Sequence, residues 1–162
     1  MKHTLLALFS FLIVTSCYAQ DMLGKSTDDI LKKYKANARY VLIKLRTPDG
    51  VVMPRIKIDH TIDLTKTGKS ENTIITYRTS PNNYLLNFIL ISDKCIQYDV
   101  DNDIKTLYQT LDKFNQIYVP IKSDDGLINT EQFYYKSKDD SFKIAVTSYK
   151  NEKKYKVSYY YN

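Results

Sequence analysis

Apolar residues in this chain recur at a period of two over most of its length, which confines the fold to one built on sheet. The longest such run has Ile56, Ile58, His60, Ile62 and Leu64 on one side and Arg55, Lys57, Asp59, Thr61, Asp63 and Thr65 on the other. Strict alternation of this kind is the mark of a strand with one buried face, and it predicts a single strand through this segment. Tyr40–Thr47 predicts a strand before it, with Pro48-Asp49-Gly50 as the turn and Val51 opening the partner. Thr67-Gly68-Lys69-Ser70 and Pro81-Asn82-Asn83 predict further turns on either side of a strand at Thr73–Thr79. The stretch 84–91 is apolar on both faces and predicts a central strand covered on both sides. Strands are also expected at 95–100, 133–136, 142–149 and 155–161.

Two segments break the alternation. Ser26-Thr27-Asp28-Asp29 followed by Ile30, Leu31 and Tyr34 predicts a short helix with Ser26 as its cap and Asp29 closing a capping box. Ile104, Leu107, Tyr108, Leu111, Phe114 and Tyr118 recur three or four apart and predict a second helix, capped by Asp101 or Asn102 and packed on the central strand. Asp29-Ile30-x-x-x-Tyr34 recurs as Asp103-Ile104-x-x-x-Tyr108, so a tandem helix-plus-sheet repeat enters as a minor reading. The expected class is α+β: antiparallel sheet of about seven to nine strands with two short helices, in one domain. No Pro-, Gly- or Ser-rich linker divides the 162 residues, and 43% hydrophobic content gives a core adequate for folding without metal or disulfide. The expected core is Ile56, Ile58, Ile62, Leu86, Phe88, Leu90, Leu107, Leu111, Phe114, Ile144 and Val146.

Residues 1–19 combine Lys2, an apolar run from Leu5 to Val14 and a small-residue end at Ala19, the pattern of a secretory signal. The run is about half of what a bilayer crossing needs, so no transmembrane span is expected. Two processing sites compete. Cleavage after Ala19 leaves 20–162 as a free exported domain, secreted or periplasmic. Val14-Thr15-Ser16-Cys17 resembles a bacterial lipobox instead, which would remove 1–16 and make Cys17 the lipidation site of a membrane-anchored lipoprotein. Tyr18-Ala19-Gln20 resembles the end of secretory signals from Bacteroidota-type bacteria. With Cys17 removed or acylated, Cys95 is left as a lone thiol and no intramolecular disulfide is expected.

Leu23-Gly24-Lys25-Ser26-Thr27-Asp28-Asp29-Ile30 is similar to the opening helix of small bacterial envelope domains of the SmpA/OmlA and β-lactamase-inhibitor-protein-like type. The resemblance covers about a dozen residues. It implies a binding or assembly role without catalysis, and it carries over no functional residue.

Charge excludes some partners. The net charge of +6 falls to +5 when Lys2 leaves with the signal, and +4 of that lies in 20–60 without forming a stripe, so no nucleic-acid partner is expected. Ala19-x-x-x-x-Gly24-Lys25-Ser26 meets only the loosest phosphate-loop pattern and lacks its first Gly. Asp99-x-Asp101-x-Asp103 has the spacing that opens a calcium loop, but Ile104 stands where Gly makes the bend and Thr110 where Glu closes the site. One His and one Cys cannot assemble a zinc site, so neither metal nor other cofactor is expected. The carboxylate pairs Asp28-Asp29, Asp124-Asp125 and Asp139-Asp140 read as caps and turns.

Tyrosine is the unusual component: fifteen Tyr and no Trp. Tyr155, Tyr159 and Tyr161 share a strand face with Val157, Tyr160 lies opposite, and Tyr149 is near in sequence. A tyrosine ring packs as an apolar surface while its hydroxyl stays polar, so these five are the candidate ligand- or partner-binding residues, against the plainer reading of strand formers filling core. The leading functional expectation is a non-enzymatic exported binding module of a bacterial envelope, its partner an envelope protein or glycan. The alternatives are a divergent hydrolase-like enzyme with a cleft near His60 and a structural envelope lipoprotein anchored at Cys17. No catalytic residue is assigned, and oligomeric state is left open.

Overall fold

The computed structural model describes residues 22–35, 37–56, 62–67, 72–122 and 129–161, with backbone alone at 55, 56 and 62–67. Cys17, His60, Ile58, Asp124 and Asp125 lie outside the described residues, as does the signal segment. The chain runs α1 (Thr27–Lys35), β1 (Tyr40–Thr47), β2 (Gly50–Ile56), β3 (Ile62–Thr67), β4 (Thr73–Thr79), β5 (Leu85–Ile91) and β6 (Lys94–Asp103). A 3-10 turn at Ile104–Thr106 leads into α2 (Leu107–Ile117), followed by β7 (Val119–Ile121), β8 (Thr130–Lys136), β9 (Phe142–Tyr149) and β10 (Lys154–Tyr161). Among the described residues the strands form one ten-stranded sheet in the order β3-β2-β1-β4-β5-β6-β10-β9-β8-β7. Nine of these have six or more residues, and the tenth is the three-residue β7 at one edge, where Pro120 costs no ladder bond to a further neighbour. Every neighbouring pair is antiparallel. The α+β class and its single sheet-dominated domain are therefore as the periodicities predict.

Cross-strand register sorts the side chains. Leu42, Tyr77, Leu86, Val100, Val157, Val146 and Phe133 stand opposite one another in successive strands and so point to one side of the sheet. That side carries the core, and both helices lie on it. Eight of the expected core residues are buried there: Leu86, Phe88, Leu90, Leu107, Leu111, Phe114, Ile144 and Val146.

Three expectations are corrected. The alternating run at 55–65 is not one strand: β2 ends at Ile56, β3 begins at Ile62, and the two pair with Ile56 opposite Ile62. Facing residues of an antiparallel pair share a side, and a separation of six keeps the parity, so the alternation runs straight through the reversal. β5 is central but covered on one side only, with Phe88 fully buried and Ile91 47% exposed on the opposite side. The helix on β5 is α1, whose Tyr34 meets Phe88 at 5.5 Å between ring centroids; α2 lies over the far half, with Phe114 edge-on to Tyr135 at 5.5 Å.

The helix-plus-strand repeat is not reproduced either. Strands after α1 pair in the order 3-2-1-4 while those after α2 form a plain meander. The matched tyrosines differ as well, since Tyr34 is buried and Tyr108 is 73% exposed.

Candidate functional site

Each helix is pinned by short-range chemistry that the sequence specifies. At α1 the Ser26 hydroxyl accepts from the Asp29 N–H at 3.2 Å and the Asp29 carboxylate accepts from the Ser26 N–H at 3.3 Å, a reciprocal capping box. The Thr27 N–H donates to the Asp93 carboxylate at 2.9 Å, which fastens the helix start to the Ser92-Asp93 turn between β5 and β6. Both turn residues have positive φ, 48° and 58°, as a two-residue hairpin needs. Just before the helix, the Gly24 N–H donates to the Cys95 carbonyl at 2.8 Å and the Cys95 N–H to the Lys25 carbonyl at 2.9 Å. Gly24 is at φ +79°, and an added Cβ would stand 2.5 Å from the Tyr161 hydroxyl. Its N–H thus serves the sheet rather than a phosphate.

At the second helix the Asp103 carboxylate caps the 3-10 turn by accepting from the Lys105 N–H at 3.0 Å, the cap falling one residue beyond Asn102. The Tyr155 hydroxyl lies 2.6 Å from the Thr110 hydroxyl and 3.2 Å from that of Thr106, tying α2 to β10.

With α1 held over β4–β5 and α2 over β8–β10, a cleft of about 730 Å³ opens between them. Its floor is the middle of the sheet: Leu86, Tyr98, Val100, Val157 and Tyr159. Tyr34 and Phe114 form its helical walls. Tyr98 stacks on Phe88 at 5.0 Å and on Tyr159 at 5.5 Å, so the floor continues a row of rings across β5, β6 and β10. The rim is cationic. Lys33 and Arg39 stand on the α1 side and Lys113 on the α2 side. Arg39 is placed by its backbone: its N–H donates to the Asn37 side chain at 3.1 Å and its carbonyl accepts from the Ser80 N–H at 2.8 Å. The one carboxylate among the described lining is Asp101, which is held by Lys154 Nζ at 2.9 Å and by the Leu85 N–H at 3.3 Å.

A volume of this size is ordinary for a small-molecule site, as are an apolar or aromatic floor and a few charged groups at the mouth. A smaller hollow of about 210 Å³ over Asn87, Asp101 and Lys154 offers less room, and two of the charged groups that line it, Asp101 and Lys154, already satisfy each other.

The five sequence-selected tyrosines are divided by the fold. Tyr155 and Tyr159 are buried and line the cleft, whereas Tyr161 shares their side of β10 but is 49% exposed at the strand end. Tyr160 and Tyr149 are on the opposite side of the sheet, Tyr160 half-buried and Tyr149 38% exposed. They form no single patch. The sequence reading missed Tyr34, Tyr98, Lys33, Arg39 and Lys113 as members of one site. Tyr34 and Lys33 fall one apart on a helix and Arg39 just beyond it, but no local spacing announces that Tyr98 and Lys113 face them.

The other motifs dissolve into local contacts. Asp99 accepts from the Gln97 amide at 3.0 Å, Asp101 has Lys154 and Asp103 caps the turn, so each carboxylate of the calcium-like spacing has its own partner. Asp139 accepts from Ser141 Oγ at 2.7 Å, and hydrogen bonds from Ser137 and then Ser141 hold its carboxyl down at about 2. Cys95 is fully buried, and burial pushes its thiol up to about 12, which keeps it protonated and unreactive at neutral pH. Among the described residues no helix is long and apolar enough to cross a membrane. No family model, curated protein or solved structure matches this chain.

Burial raises the phenols of Tyr34, Tyr77, Tyr98 and Tyr159 well above their ordinary value of 10.0. A raised folded-state value favours the fold fully below the unfolded value and loses that contribution as pH climbs from there toward the folded one. Stability is therefore expected to fall steeply above pH 10. In an ultraviolet titration of phenolate absorbance these four should ionise only together with cooperative unfolding. Their smooth titration in a still-folded protein would show that the row of rings is open to water.

Proposed function

We propose that this chain is a non-enzymatic exported binding module of a bacterial cell envelope, and that its ligand lies in the cleft between α1 and α2. The observation that carries the reading is the cleft itself: about 730 Å³, floored by aromatic and apolar side chains from β5, β6 and β10 and rimmed by cations from two separate segments. A chain needing only a core would close the two helices over this floor. The export leader, read from residues 1–19, places the module outside the cytoplasm, either free from Gln20 or tethered by an acylated Cys17.

The test is a ligand screen by amide NMR on the purified protein, followed by Asn102→Trp, which fills the cleft from its half-buried rim. Ligands are expected to shift the Val100, Asn102, Thr110 and Lys113 amides, and the variant to lose at least roughly tenfold in affinity, about 1.4 kcal/mol, with an unchanged melting temperature. Shifts confined to the opposite side of the sheet would overturn the site. Catalytic turnover of a bound compound, lost in His60→Ala at unchanged stability, would overturn the non-enzymatic reading.

A further inference from the structure

Resting on that reading of the cleft, we infer that its ligand is a single-chain amphiphile with an anionic head, the chain lying over Val100, Val157 and Tyr98 and the head held by Arg39 and Lys113. Two features of the cleft argue for this chemistry over a neutral sugar or a cationic ligand.

The first is where the polar groups point. The hydroxyl of Tyr34 in the wall and that of Tyr98 in the floor interact with each other, and that of Tyr155 beside them is engaged by Thr110 and Thr106. These hydroxyls are already engaged where the lining also carries Leu86, Val100 and Val157, whereas the lining amides Asn37 and Asn82 are exposed and Asn102 is half-buried. A sugar laid there would leave hydroxyls unpaired at about 1–3 kcal/mol each, whereas a hydrocarbon chain needs no partner. The second is the sign and placement of charge. Arg39 and Lys113 stand at the mouth, one on each of its sides, and the one carboxylate among the described lining is occupied by Lys154. Among the described residues no carboxylate lies within ion-pair distance of Arg39 or Lys113. An acid group at the mouth would find a cation on either side of it, with the chain directed inward. The volume suits one chain rather than a bulky multi-tailed lipid.

Four probes that share one chain separate the possibilities: dodecanoate, dodecyl phosphate, dodecyl maltoside and dodecyltrimethylammonium, each titrated calorimetrically below its micelle concentration into the purified protein. Dodecanoate and dodecyl phosphate are expected to bind one to one, at least roughly tenfold tighter than the neutral and cationic probes. Their ratio tells whether a carboxylate or a phosphate head is preferred. Arg39→Glu combined with Lys113→Glu, both on the rim, should abolish the preference while leaving the melting temperature in place. Equal affinity for all four probes would overturn the anionic head and leave the cleft as a binding site. Anion binding that survives both the rim variant and Asn102→Trp is adsorption elsewhere and overturns the inference. Binding of a glycan or peptide in the cleft, with no amphiphile bound, overturns the ligand class alone. A screen in which nothing shifts the cleft amides overturns this inference and the proposed function together.

Discussion

Replacing Phe88 by alanine is expected to cost about 3–5 kcal/mol, the range for truncating a fully enclosed aromatic. Phe88 is 0% exposed at the middle of the central strand, and its ring meets Tyr34 at 5.5 Å, Tyr77 at 6.3 Å and Tyr98 at 5.0 Å. Those three rings belong to α1, β4 and β6, so the lost ring leaves a void with walls in three elements that cannot all collapse at once. In a domain of this size the loss lowers the melting temperature by about 10–20 °C. Urea unfolding should show a lower midpoint at an unchanged slope. Phe88→Leu keeps most of the volume and should cost about 1–2 kcal/mol. If Phe88→Ala costs no more than Phe88→Leu, α1 is free to settle onto the sheet, and the cleft it borders would narrow in the same variant.

Lys154→Met is expected to destabilise by about 2 kcal/mol, and the reason is the partner it abandons. Asp101 has a side chain only 5% exposed, while that of Lys154 is 42% exposed. The direct attraction is therefore screened by solvent and contributes little, but the carboxylate left behind would keep, among the described residues, only the Leu85 N–H at 3.3 Å. The hydrogen bond to Asp101 also lifts the Lys154 ammonium above its ordinary value, so the pair's contribution is present up to the unfolded lysine value and fades as pH rises through the folded one. The double variant Asp101→Asn, Lys154→Met removes the charge and preserves an acceptor for Leu85. It should recover about 1 kcal/mol of the single variant's loss. A double variant less stable than Lys154→Met would mean that the carboxylate has further partners that matter more than Lys154.

What was legible in the sequence was what neighbours along the chain decide. The capping box at Ser26 and Asp29 is a three-residue matter, and it forms as expected. Strand β9 was legible to its bounds because Phe142, Ile144, Val146 and Ser148 recur at a period of two, broken only by the small, buried Ala145. Parity, however, states which residues share a side of a strand and not which side is covered. Tyr155, Tyr159 and Tyr161 were grouped correctly, but nothing local shows that α2 is tied to Tyr155, that Tyr159 is buried beside it, or that Tyr161 is left exposed at the strand end. The same limit hid the reversal between Ile56 and Ile62. It also hid the cleft, whose Arg39, Tyr98, Lys113 and Tyr159 are brought together by strand order and by the seating of the two helices on the sheet.

That order has a kinetic consequence. β10 follows all the other described strands along the chain, yet it sits between β6 and β9, pairing along seven residues with each. Until residue 161 is available, β1–β6 and β7–β9 are two separate sheets, each presenting a bare edge where the other should join. Loop closure over the intervening chain must precede any gain from those contacts, which makes this a slow step. A chain stalled or trimmed before β10 exposes two unpaired edges and the floor of the cleft, the surfaces on which partly folded proteins aggregate. The eight residues of β10 therefore act as the closing seam of the sheet, and its vulnerability during synthesis is concentrated in the interval before they arrive.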